Sequence, residues 1–169
     1  MNIAKGVILG FVSLVCGLWF GMSAKIMYES STFHPYDWDV KPIIANCYGN
    51  DFSELQMRRA MGFWRTKGFK VGNYIHYPKS SICESEWTDG YIILRKSNGL
   101  PDNTLASTRR YTTISTMRGA VIKYKPGSQN LDMINEHELG HALGLTHCEE
   151  KGHIMHPDYE KMGILYWLP

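Results

Sequence analysis

The sequence predicts a single α+β domain, a mixed sheet with one helix near its start and another near its end, preceded by an N-terminal apolar helix. Three observations carry this expectation. Five short strand-like runs are separated by Gly, Pro, Asn and Ser turn signals. Two other segments repeat apolar residues at helical spacing. Residues 6–24 contain no ionisable group except Cys16. At 169 residues and 44% hydrophobic content the chain can bury one core but is short for two. Its formal charge of +2 is spread without a long basic block, so electrostatics gives no argument for a nucleic-acid partner.

Taken in order, residues 1–24 read as a signal peptide or membrane anchor. The apolar run is close to the ~20 residues a helix needs to cross a bilayer and longer than the roughly 7–15 of a signal-peptide core. Retention as an anchor is the expectation. Lys5 precedes the run and Lys25 follows it, a weak bias for an inward N-terminus and an extracytoplasmic or secreted domain. Residues 25–39, rich in Ser, Tyr, His and Asp, read as a linker, and residues 40–169 as the folded domain.

Residues 41–47 form the first expected strand, through Ile43 and Ile44. After the Tyr48-Gly49-Asn50 turn, Asp51 or Ser53 caps a helix that runs to about Lys67, with Leu55, Met57, Ala60, Met61 and Phe63 or Trp64 on its apolar face and Gly68 as its stop. Strands are expected at 71–77, 91–95, 104–108 and 120–124. A helix follows over 131–145, capped by Asn130, with Leu131, Ile134, Leu139, Ala142 and Leu143 as apolar contacts. Cys47, Cys83 and Cys148 fall in the domain, where a Cys47–Cys83 disulfide and free buried thiols are both open.

The second helix carries the chemistry. His137-Glu138-Leu139-Gly140-His141-Ala142-Leu143-Gly144-Leu145-Thr146-His147 fits H-E-x-x-H-x-x-G-x-x-H at every fixed position. Residues four apart share a helix face, so His137 and His141 can point nitrogens at one ion. A straight helix would carry His147 away, and Gly144 permits the bend that returns it. Three neutral imidazoles leave a fourth position open, the mark of a catalytic zinc site. Glu138, beside the first ligand, can reach a water there without ligating.

Eight residues beyond His147 stands Met155, within Ile154-Met155-His156-Pro157. The extended motif followed by a Met-containing turn resembles the metzincin clan of zinc proteases. The resemblance implies a twisted, mostly parallel sheet whose antiparallel edge strand lines the cleft and pairs with extended substrate; residues 104–108 are the expected edge. Within the clan, Met155-His156-Pro157 looks most like matrixins. Cys148, directly after the third histidine, resembles archaemetzincins, although His153 stands where those carry a second cysteine.

The functional expectation is a zinc-dependent endopeptidase, with Zn²⁺ on His137, His141 and His147 and Glu138 as the general base that later protonates the leaving amine. Its partners would be a protein or peptide substrate and a membrane, the latter through residues 6–24, with no nucleic acid and a monomeric state. The alternative is a membrane-tethered, zinc-containing peptide-binding module without turnover. His156 or Tyr159 could hydrogen-bond the tetrahedral intermediate, and residues 156–163 should shape the specificity pocket.

Overall fold

A computed structural model describes residues 37–76 and 81–164. In chain order the elements are β1 (Asp37–Trp38), β2 (Ile43–Asn46), α1 (Glu54–Thr66), β3 (Tyr74–His76), α2 (Ser81–Glu84), β4 (Tyr91–Lys96), β5 (Ala106–Thr112), β6 (Thr116–Tyr124) and α3 (Ile134–Ala142). One-turn 3-10 helices stand at Ser128–Asn130 and Tyr159–Lys161. The expected apolar helix over residues 6–24 lies outside the described residues; among those described, no helix is long and apolar enough to cross a membrane.

The sheet has the order β1-β6-β4-β2-β3, with β5 added against β6. Every pairing is parallel except β5–β6, which is antiparallel. β2 and β4 are short aliphatic runs, as strands covered on both faces must be. β5 reads Ala-Ser-Thr-Arg-Arg-Tyr-Thr and is only half-buried at alternate positions, which suits a strand whose one partner is β6. It begins two residues later than expected and ends four later. Thr104 closes a turn onto the Pro101 carbonyl (2.9 Å), delaying the start, and the polar run 109–112 hides the strand from any search for apolar alternation.

α1 forms where its cap and apolar spacing predict. Ser53 accepts a hydrogen bond from the Gln56 amide (3.3 Å), and Met57, Ala60, Met61 and Trp64 are buried. Leu55, expected inside, is 80% exposed because it falls on the opposite face. The helix ends before Gly68, whose φ of +88° favours glycine. Across the core, Trp64 Nε1 donates to the Glu136 carbonyl at 2.7 Å and ties α1 to α3. Ile44, Ile92, Leu94 and Ile122 of the sheet pack with these residues and with Leu139 and Ala142 of α3. Burial of one such aliphatic side chain contributes about 1.5–3 kcal/mol.

Two departures bear on the site. Asp37 and Trp38, read as the end of a linker, pair with Thr116 and Met117 of β6. Trp38 is buried, and its Nε1 donates to the Ala142 carbonyl at 3.0 Å, at the end of α3. The second departure is α3 itself, which starts at Ile134. Asn130 instead closes the 3-10 turn, the Leu131 amide bonds the Ser128 carbonyl, and Met133 turns the chain at φ +63°. The side chain of Asn135 clamps that turn by donating to the Gln129 carbonyl (3.0 Å). A Cys47–Cys83 disulfide, one of the two open readings, joins the end of β2 to α2, a short helix the sequence did not suggest.

Candidate metal centre

α3 is buried on nearly all sides, an expensive setting for His137, Glu138 and His141 unless each polar atom has work. His137 Nδ1 lies 2.9 Å from the Ile154 carbonyl and His141 Nδ1 2.9 Å from the Leu145 carbonyl. A carbonyl only accepts, so both Nδ1 atoms carry the proton. Burial pulls the pKa of His137 down to about 4, and burial with the neighbouring His137 takes His141 to about 3. Both rings are therefore neutral near pH 7, with bare lone pairs on Nε2.

Those lone pairs face each other. His137 Nε2 and His141 Nε2 are 3.0 Å apart, and His147 Nε2 is 3.1 Å from that of His141. The unprotonated nitrogens of His137 and His141 repel at that distance unless a cation stands beside them. A tetrahedral zinc with Zn–N of about 2.0–2.1 Å spaces its nitrogens by about 3.3 Å, so the donor set fits zinc, and the carbonyls on Nδ1 orient two of the three rings. Among the described residues, this triad is the one group of three or more His, Cys, Asp or Glu side chains arranged to share a metal ion. Cys148 stays out of it: half-buried, it packs at the edge of the core.

The bend that returns His147 follows from local hydrogen bonding. The Leu145 amide bonds the Gly140 carbonyl (3.0 Å) and the Gly144 amide bonds the His141 carbonyl (3.0 Å), the six-to-one and five-to-two pattern of a Schellman ending. Gly144 has a φ of +107°, as such an ending requires. Beneath the helix, a Cβ placed on Gly140 would lie 2.5 Å from Met155 Sδ and 2.7 Å from Trp64 Cζ2. Met155 thus floors the site, and its neighbour Ile154 supplies the carbonyl that orients His137.

Glu138 is held by a residue that sequence reasoning placed only on a strand. Thr108 Oγ1 of β5 lies 2.6 Å from Glu138 Oε2 and 3.1 Å from the Glu138 carbonyl. Burial pushes the carboxyl up to about 7, against the opposing effect of the Thr108 hydrogen bond. Arg110, also on β5, donates to the Gly144 carbonyl at 3.1 Å and braces the bend. No local periodicity could reveal these contacts, which join residues 30 and 34 apart. The available signal was the two-residue repeat of a strand, which sets Ala106, Thr108 and Arg110 on one face.

A cleft of about 680 Å³ opens over Glu138 and the three histidines, walled by β5 and by residues of the chain from His156 to Met162. The buried His156 accepts the Asp158 amide on Nδ1 (2.9 Å), so the proton of its neutral ring sits on Nε2. Tyr159 lines the same cleft. Buried His153 instead accepts the Met155 amide on Nδ1 (2.9 Å) within the turn.

With this geometry in hand, comparison with known proteins gives a family model described as Matrixin, matching residues 51–164. No curated protein matches the chain.

Proposed function

Because the chain belongs to the matrixin family, within the metzincin clan of zinc metalloproteases, we propose that it is an endopeptidase whose metal is held by His137, His141 and His147 and whose general base is Glu138. The observation that carries this reading is the convergence of three histidine Nε2 atoms beside a buried carboxyl group at an open cleft. Zinc bound there supplies Lewis acidity towards water and towards a peptide carbonyl.

The chain's own residues do the rest. Ile154 and Leu145 hold the protons of His137 and His141 on Nδ1, keeping Nε2 available. Glu138, with a pKa near neutrality, is placed to take a proton from water and return it to the leaving amine, acting as base and then as acid. The open edge of β5 offers backbone groups to an extended peptide, which would cross the cleft as an added strand. The apolar wall at Pro157, Tyr159 and Met162 would receive a substrate side chain.

The catalytic domain in this reading is residues 40–169 with β1 joined to it, and residues 1–24 direct it to the extracytoplasmic side as a monomer, secreted or anchored. The Cys47–Cys83 disulfide supports that compartment, since such bonds persist where the environment is oxidising.

The test is metal analysis of the purified protein together with chelator-sensitive cleavage of an unstructured protein. We expect stoichiometric zinc, cleavage lost in Glu138→Gln with zinc retained, and both lost in His141→Ala. Zinc without cleavage of any substrate would favour a peptide-binding module, and a fully active Glu138→Gln would remove Glu138 as the base.

A further inference from the structure

Thr108 stands on β5, the strand that forms one wall of the cleft, and its side chain is directed at α3. Its hydroxyl has one proton and two acceptors in reach, Glu138 Oε2 at 2.6 Å and the Glu138 carbonyl at 3.1 Å. The shorter separation lies within the roughly 2.5–2.7 Å of an O–H···O⁻ bond, so the proton goes to the carboxylate. The Thr108 contact falls on Oε2 and leaves Oε1 clear of that hydroxyl. The two carboxylate oxygens are thus inequivalent before any substrate arrives.

A glutamate side chain turns about three bonds; burial restricts the rotamers of Glu138, and the contact from Thr108 fixes which way the carboxylate faces at the cleft. Leu139 and Gly140 of the motif face the core and the Met155 floor and cannot supply such a contact. The positioning hydroxyl comes from the substrate-pairing strand, so the element that would seat the peptide also sets the base against it.

We propose that Thr108 is a positioning residue for the reaction: its hydroxyl anchors Oε2 of Glu138 and thereby assigns the proton transfers to Oε1. The assignment rests on Glu138 being the base. Anchoring acts on the transition state more than on peptide binding, so its loss should appear in kcat and leave KM in place. Loss of comparable supporting contacts costs on the order of 10- to 100-fold.

The experiment compares Thr108→Val, which keeps the shape and β-branching, and Thr108→Ser, which keeps the hydroxyl, in the full chain with zinc bound. For Thr108→Val we expect kcat to fall about 10- to 100-fold with KM within about twofold. Zinc affinity, from competition with a chromophoric chelator, should be unchanged, and a crystal structure should show the Glu138 carboxylate turned from its wild-type orientation. Thr108→Ser should keep most of the wild-type kcat. The proposal is overturned by a Thr108→Val enzyme with wild-type kcat, by a loss that Thr108→Ser shares, or by a Glu138 carboxylate that stays in place. Should Glu138→Gln remain active while Thr108→Val does not, the base assignment fails separately, and Thr108 acts by some other route.

Discussion

Without metal, His137 and His141 carry pKa values of about 4 and 3, below the 6.5 of a free imidazole. A depressed histidine stabilises the fold fully above its unfolded pKa, and that contribution is lost as pH falls from 6.5 towards the folded values. Glu138 works the other way. Its pKa is raised from 4.5 to about 7, so its contribution is present below 4.5 and lost as pH rises to about 7. Over the shared window two imidazoles oppose one carboxyl, and the metal-free protein should lose stability as it is acidified. In Glu138→Gln the opposing gain is gone, so the urea midpoint of the chelated variant should fall more steeply between pH 6.5 and 4.5 than that of the wild type. Equal slopes would mean that the carboxyl titrates at its ordinary value in the fold. At this scale the meeting of His137, His141 and His147 was legible, because the helix repeat and a glycine stop act through local geometry. Thr108 was not legible, because its partner lies on another element.

The ending of α3 shows how an element converts backbone geometry into ligand placement. Gly144 at φ +107° closes the helix, and Leu145, one residue later, supplies the carbonyl that fixes His141. Gly144→Ala would force a Cβ into a backbone region costing roughly 1–3 kcal/mol, and it would move the segment that carries His147. We expect both a lowered urea midpoint and weaker zinc binding, measured by equilibrium denaturation and chelator competition. A variant that loses stability but holds zinc as tightly as the wild type would show that His147 is positioned independently of the bend. Element boundaries were less legible than the motif. The start of α3 at Ile134 depends on the Asn135 clamp and the left-handed Met133. Neither is visible to a cap rule that sees Asn130 before an apolar run. β5 escaped because a half-covered strand need not alternate apolar with polar residues.

For the molecule as a whole, the mixed sheet and two principal helices were readable from periodicity, whereas α2 and the chain entry at β1 were not. α2 has four residues and no buried side chain, and the Cys47–Cys83 bond holds it to β2 across 36 residues of sequence. A cross-link closing a loop of that size stabilises by about 2–4 kcal/mol. The double variant Cys47→Ser/Cys83→Ser, compared in the chelated state so that metal does not mask the effect, should lose that amount in urea unfolding. An unchanged midpoint would mean that the reduced chain is already held by its core. Trp38 imposes a different condition. Its indole reaches the last residue of the zinc-motif helix from the opposite end of the domain sequence, so the chain's entry into the sheet and the end of that helix share one hydrogen bond. The bond makes β1 a tether: a backbone cut between Trp38 and β2 would release the indole and unbrace the end of α3.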